Sequence, residues 1–159
     1  VHGVKKIAFL RGPENHTSAE DRFRGFKDAL VEAGLDTPEN QELITYPLSW
    51  SDGELGIAWL TEEKGFVPGK DFEALLSASD MMTFSAVNYL KQKGVRIPKD
   101  LMVGGFNDTE ESRISIPSFS TVHMPNAELV IRPGYQHCGY MAAEPKAYVE
   151  QIEAIMSTT

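Results

Sequence analysis

FEALLSASDMMTFSAVNYLKQKGVRIPKDLMVGGFND, residues 72–108, reads as strand, helix, strand. FEALLSA (72–78) is a short apolar run, and DMMTFSAVNYLKQKG (80–94) has helical periodicity. Asp80 is placed to cap that helix at its start and Gly94 to end it. LMVGGFN (101–107) is again apolar, and DTEES beyond it offers a short helical turn. A strand, a crossover helix and a second strand make a βαβ unit, which favours a parallel sheet.

The alternation extends outward on both sides. KKIAFL (5–10) predicts a strand closed by Arg11-Gly12-Pro13, and SAEDRFRGFKDALVEAG (18–34) predicts a helix stopping at Gly34. That helix carries Ala19, Phe23, Phe26, Leu30 and Ala33 on one stripe. ELITYP (42–47) predicts a strand ended by Pro47. SDGELGIAWLTEEKG (51–65) predicts a helix with Ser51 as its cap and Leu55, Ala58 and Trp59 facing inward. STVHM (120–124) and ELVIR (128–132) are strand-like, and AEPKAYVEQIEAIM (143–156) predicts a terminal helix entered at Pro145. The expected fold class is α/β: three α/β/α layers around a mostly parallel, doubly wound sheet. Right-handed crossovers gather the carboxyl ends of all strands on one edge, where ligands of such folds sit.

Bulk composition narrows the function. The chain has 159 residues and a formal net charge of −8, with no basic stripe to engage nucleic acid directly. Cys138 is the lone cysteine, so no internal disulfide can form. No apolar run approaches the roughly 20 residues of a membrane span. The four histidines (2, 16, 123, 137) lack metal-ligand spacing, and no metal or cofactor is expected.

Four strand-to-helix corners, 11–18, 47–51, 77–80 and 106–109, define the edge to inspect. In the first helix Arg22 and Arg24 are two positions apart, about 200° of rotation, so they cannot share a face. Arg22 lies in the row Ser18, Arg22, Gly25, Ala29 that borders the apolar stripe, one turn from the helix start. Arg24 points to solvent. A forked donor at that edge suits a sugar diol, a carboxylate or a phosphate, or else Arg22 pairs with a neighbour such as Glu20. Trp50 offers an aromatic face to a ring, or plugs the sheet's end. Ser79 and Asn107 are short polar groups placed to face a ligand, while Asp80 and Asp108 are expected to cap helices, Asp108 with Glu111 in a D-x-x-E arrangement.

In this order, R-x-x-G-F in the first helix, LSWSDGELG, ASDMM after a strand, G-V-R-I-P-K-D-L and GFND resemble the effector-binding core of the LacI/GalR family over residues 2–125. That resemblance implies one lobe, the C-terminal one, of a type I periplasmic-binding-protein-like fold. It implies that Arg22 grips an effector, that Ser18 is a nearby polar contact and that Trp50 packs on a sugar or base ring. Ser79 stands where asparagine is common in A-N-D, and Asn107 where an aspartate is usual, so the carboxylate that accepts sugar hydroxyls is replaced by an amide.

The expected organisation is an effector-binding lobe at 1–135, with an apparent junction at 126–127, and a tail with a C-terminal helix at 136–159. The expected role is sensing, not catalysis: a cytoplasmic, LacI-type regulator lobe that binds a sugar-like or nucleobase-like effector weakly on its own, pairs as a homodimer and reaches DNA only through a separate domain. Two other readings are a sensor lobe fused to a diguanylate cyclase or histidine kinase, and a Mg²⁺-dependent enzyme using Asp80, Asp108 and Glu110 or Glu111. The enzyme reading lacks a G-x-S-x-G corner, a Walker-type loop or G-x-G-x-x-G. A thiol site at His137-Cys138 lies after the last strand, away from the shared edge.

Overall fold

The computed structural model describes residues 3–123. The junction at 126–127, the strand expected at 128–132, His137-Cys138 and the helix expected at 143–156 lie outside them. Four parallel strands run in the order β1 (Ile7–Leu10), β2 (Ala74–Ser77), β3 (Met102–Phe106), β4 (Ser120–Val122). The α/β parallel architecture expected from the sequence is present.

Between β1 and β2 the chain forms α1 (Thr17–Glu32), α2 (Pro38–Glu42) and α3 (Gly53–Ala58), the last running into a π-helical turn, Trp59–Glu63. α4 (Asp80–Gln92) joins β2 to β3, and α5 (Glu110–Ile114) joins β3 to β4. α1 and α4 stop before Gly34 and Gly94, whose positive φ angles of 68° and 83° suit only glycine comfortably.

The strand expected at 42–47 is a correction. Thr37 caps α2 by accepting from the Asn40 amide at 3.3 Å, and Pro38 follows at its first turn, so residues through Glu42 are helical. Pro47 has no N–H to continue a ladder. What survives is a single parallel bridge, Ile44 to Phe9, held by Phe9 N–H to Leu43 O and Thr45 N–H to Phe9 O, both 3.0 Å. Asn40 does part of the missing strand's work: its side chain accepts from Ile7 N at 3.0 Å and donates to Lys5 O and Leu35 O at 2.8 Å.

That bridge fixes the winding. From β1 the chain goes outward past α1 to Ile44, then back across β1 by way of α3 to reach β2. α1 stacks Phe26 and Phe23 on Phe9, at centroid distances of 4.4 and 5.8 Å. α3 and α4 pack on each other against the opposite face, α3 over Leu10. The connections therefore diverge at β1 and β2, and a crevice opens at their carboxyl ends.

Two helix starts also differ from expectation. Ser79, not Asp80, caps α4, accepting from Met82 N at 3.3 Å. α3 begins after Asp52, and its inner face is Gly53, Gly56 and Ile57, with Leu60 following; Leu55 is 56% exposed. Contact distance decides this. A Cβ on Gly53 would lie 1.9 Å from the Met82 carbonyl oxygen, and one on Gly56 2.5 Å from Leu48 Cδ1, so the small residues must face inward.

Gly53→Ala should accordingly lower stability by about 2 kcal/mol or more, because the obstructing atom is backbone and cannot turn aside. Urea denaturation of the variant beside wild type checks this; an unchanged midpoint would mean that α3 and α4 are not in this close contact.

Candidate functional site

α1 delivers Arg22 to the crevice. Its side chain is only 5% exposed. Nη1 donates to the carbonyl of Ala78, just past β2, at 2.5 Å. Nη2 donates to Asn107 Oδ1, just past β3, at 2.8 Å. The guanidinium carbon lies 4.8 Å from the centroid of the Phe106 ring and 5.9 Å from that of Trp50. Arg24, on the other side of α1, pairs with Asp21 at 2.5 Å and faces solvent, as the rotation argument requires. Glu20, the alternative partner for Arg22, is bound to Arg11 at 3.0 Å.

Trp50 is half-buried and partly packed on the core, so it plugs the sheet's end and still shows a face to the crevice. The loop after β1 comes close to it because Gly12 lacks a side chain: a Cβ there would stand 3.2 Å from the indole, 3.1 Å from Ala78 Cβ and 2.9 Å from Ala19 Cβ. His16 meets the indole edge-on at 5.1 Å, and its Nδ1 lies 2.9 Å from Ser18 Oγ. Ser18 thus joins the site through His16.

Arg22, Trp50 and Asn107 converge. Ser79 is 3% exposed and its hydroxyl accepts from Met82 N at 3.3 Å as the cap of α4, so it is not the unengaged polar group expected there. Ser77 and Thr83 bond to each other beneath it, and Thr83 Oγ1 also donates to Gly104 O at 3.1 Å, which stiffens the corner.

The expected caps at Asp80 and Asp108 are likewise corrected; together they clamp the Asn107 turn. Asn107 and Asp108 both have positive φ, 108° and 50°, a strained geometry that surrounding bonds must hold. Asp80 supplies them, accepting from Thr109 N at 2.8 Å and from Thr121 Oγ1 at 2.6 Å. Thr121 Oγ1 in turn accepts from Asp108 N at 3.1 Å. The Asp108 carboxylate binds Arg113 Nε at 3.0 Å and His123 Nδ1 at 2.6 Å instead of capping α5. Arg113 beside it holds the Asp108 carboxyl below its ordinary range. Burial pushes the Asp80 carboxyl above its own, partly offset by the Thr121 and Thr109 bonds. Gly105 makes room for Asp80: a Cβ there would be 2.3 Å from Oδ1. Among the described residues no group of three or more His, Cys, Asp or Glu is placed to hold a metal.

Gly12, His16, Phe106 and the Ala78 carbonyl are site members that side-chain reading missed. The Arg11-Gly12-Pro13 turn was visible as a stop, and its glycine was the available signal for close approach.

Residues 1–132 match the periplasmic binding protein-like domain family. The chain belongs to that family. Its relatives place it among the LacI/GalR effector-binding domains, as the motifs indicated. It is 32% identical over 130 residues to the HTH-type transcriptional regulator AscG of Escherichia coli strain K12, covering 80% of this chain and 36% of that protein. It is 34% identical over 128 residues to the HTH-type transcriptional repressor PurR of Haemophilus influenzae, with the same shares, 80% and 36%. Among solved structures it resembles a sugar-binding LacI-family transcriptional regulator from Escherichia coli complexed with phosphate, at a TM-score of 0.68 and 31% identity, over 77% of this chain and 42% of that one. The domain thus spans about a third of the length of these curated relatives. Among its described residues no helix is long and apolar enough to cross a membrane.

The raised Asp80 pKa has a stability consequence. The folded domain binds the Asp80 proton more tightly than the unfolded chain, whose value lies near 3.8. Asp80's favourable contribution is therefore complete below that value and is lost as pH rises through the folded pKa. Relative to Asp80→Asn, wild type should lose melting temperature as pH is raised from 3 upward; a wild type that instead gains melting temperature relative to the variant would contradict the burial-dominated shift.

Proposed function

We propose that this domain is the effector-binding lobe of a cytoplasmic LacI-type transcriptional regulator, and that its effector is a small polar ring, sugar-like or nucleobase-like, lying over Trp50 and held by Arg22. The observation that carries this reading is the Arg22 guanidinium, buried at the carboxyl edge of the sheet between Ala78 O, Asn107 and the Trp50 ring. A fixed fork beside an aromatic face suits a flat ring with polar substituents.

Asn107 sharpens the ligand class. Arg22 is a donor only, so the Asn107 carboxamide turns its oxygen toward Arg22 and leaves its NH₂ as the donor for the crevice. A hydroxyl oxygen, ring nitrogen or carbonyl of the effector is the matching group there. Ser18 and His16 border the same opening, while Ser79 acts behind it through the α4 cap. One lobe supplies one wall, and burial of 70% or more of a ligand needs two. Affinity in this domain alone is then weak, and occupancy reaches DNA through a domain outside this chain. Catalysis has no part in this reading.

The partner expected from the relatives is a second copy. Leu55, Met81, Phe84, Ile114 and Ile116 are large apolar side chains left exposed on α3, on α4, at the end of α5 and just after it. These three helices are neighbours on one side of the sheet, so the residues form a face suited to self-association. In sedimentation velocity, wild type should run as a dimer at tens of micromolar, and Met81→Glu with Ile114→Glu as a monomer. A monomeric wild type would sink this part of the reading.

A titration panel of sugars, nucleosides and nucleobases tests the site. A binding ring compound should lose roughly 10- to 100-fold in affinity with Arg22→Ala, the range for a lost charged hydrogen bond. Trp50→Ala should weaken the same ligand. Unchanged affinity in both variants would place the ligand elsewhere.

A further inference from the structure

Among the described residues the two faces of the sheet are unequally covered. α3, α4 and α5 lie on the side of Leu10, Gly105 and Thr121. The other side is set by the aligned row Phe9, Leu76, Gly104, Ser120. α1 covers it only near β1, where Phe23 and Phe26 stack on Phe9. Beside α1, among the described residues, an apolar groove runs along β2, β3 and β4. It extends from Ile97 and Met102 at one end to Phe106 and Val122 at the other, with Phe26 and Phe119 as its walls. An all-parallel sheet needs both faces covered, since its strands are apolar on both.

We propose that this groove is the docking site of the chain's own segment AEPKAYVEQIEAIM, residues 143–156, lying in it as a helix. The segment's pattern suits the task. Tyr148, Val149, Ile152, Ile155 and Met156 fall at i, i+1, i+4, i+7 and i+8, a single stripe, with Lys146, Glu150, Gln151 and Glu153 on the remaining surface. Its length suits it too: 14 helical residues span about 21 Å, against roughly 17 Å for the five residues of β3 beneath.

The chain's course leads there. Among the described residues β4 is the edge strand; it borders the groove, and the chain leaves its carboxyl end after Val122. The 20 residues from 123 to 142 reach about 60 Å when extended, ample to turn back over the sheet. α4 and α5 already occupy the opposite face above β3 and β4, which leaves the groove as the open apolar surface next to β4. A docked helix would also press on Phe106, whose ring lies under the Arg22 guanidinium. The inference does not depend on which effector binds.

Photo-crosslinking of the full chain tests it. With p-benzoylphenylalanine in place of Met102, irradiation should give a product of monomer mass in which position 102 is joined to a peptide within 143–156. Ile152→Asp with Ile155→Asp should abolish that product and increase binding of the dye 8-anilinonaphthalene-1-sulfonate severalfold, while Glu150→Gln should leave both unchanged. A link to a second copy of the chain, a link only to other peptides, or a product insensitive to the double substitution would each overturn the proposal.

Discussion

A guanidinium cannot shed its charge, so burying one obliges the fold to surround it with fixed acceptors. Arg22 imposes that obligation here. Its two terminal nitrogens bind a backbone carbonyl after β2 and a side-chain carbonyl after β3, while its own backbone belongs to α1. Three segments that are distant in sequence are thereby tied at one point. The acceptors must stay put, and the network around them shows how. Asn107 is held at positive φ by a turn that Asp80 and Thr121 clamp from behind, so β4 and α4 also bear on where Arg22 rests. The strain at Asn107 and Asp108 persists because these bonds outweigh it.

The position of that tie follows from how the chain is wound. α1 leaves β1 in one direction and α3 returns across it in the other, so the loops after β1 and β2 part from each other and leave a crevice. Gly12 allows the first of those loops to approach Ala78 and Trp50, and the α1 row of Ser18, Arg22 and Gly25 runs beside it. The geometry of the crevice is thus a product of topology and of two or three small residues. Among the described residues the same winding sends α3, α4 and α5 to one face and α1 to the other, so the crevice and the groove have one origin.

Much of this was legible in the sequence, for identifiable reasons. Strands and long helices announce themselves by periodicity and by the glycines at 34 and 94, and the 200° separation of Arg22 from Arg24 told the buried arginine from the exposed one. The misreadings share a cause. Ser79 and Asp80 are adjacent, and either can cap a helix; which one does depends on Thr109 and Thr121, partners 29 and 41 residues away from Asp80. Asp108 looked like a cap until Arg113 and His123 took its carboxylate. Leu55 looked buried by hydrophobicity, but close contact with α4 at Gly53 and with Leu48 and Leu10 at Gly56 selected the two glycines for the inner face. The 42–47 segment was too short to reveal that Thr37 and Pro38 would make its beginning helical. Local pattern identifies elements; long-range acceptors and close contacts decide which residue performs each role.

A double-mutant cycle between Arg22 and Asn107, read as unfolding free energy, tests the central tie most directly. Arg22→Met keeps most of the buried aliphatic volume, and Asn107→Gly removes the amide while tolerating the positive φ at that position. If the guanidinium and the carboxamide hold each other as described, the two substitutions should be coupled by about 1.5–3 kcal/mol, the range for a hydrogen bond to a charged group. Effects that simply add, to within about 0.5 kcal/mol, would show that Arg22 does not depend on Asn107 and would contradict the account.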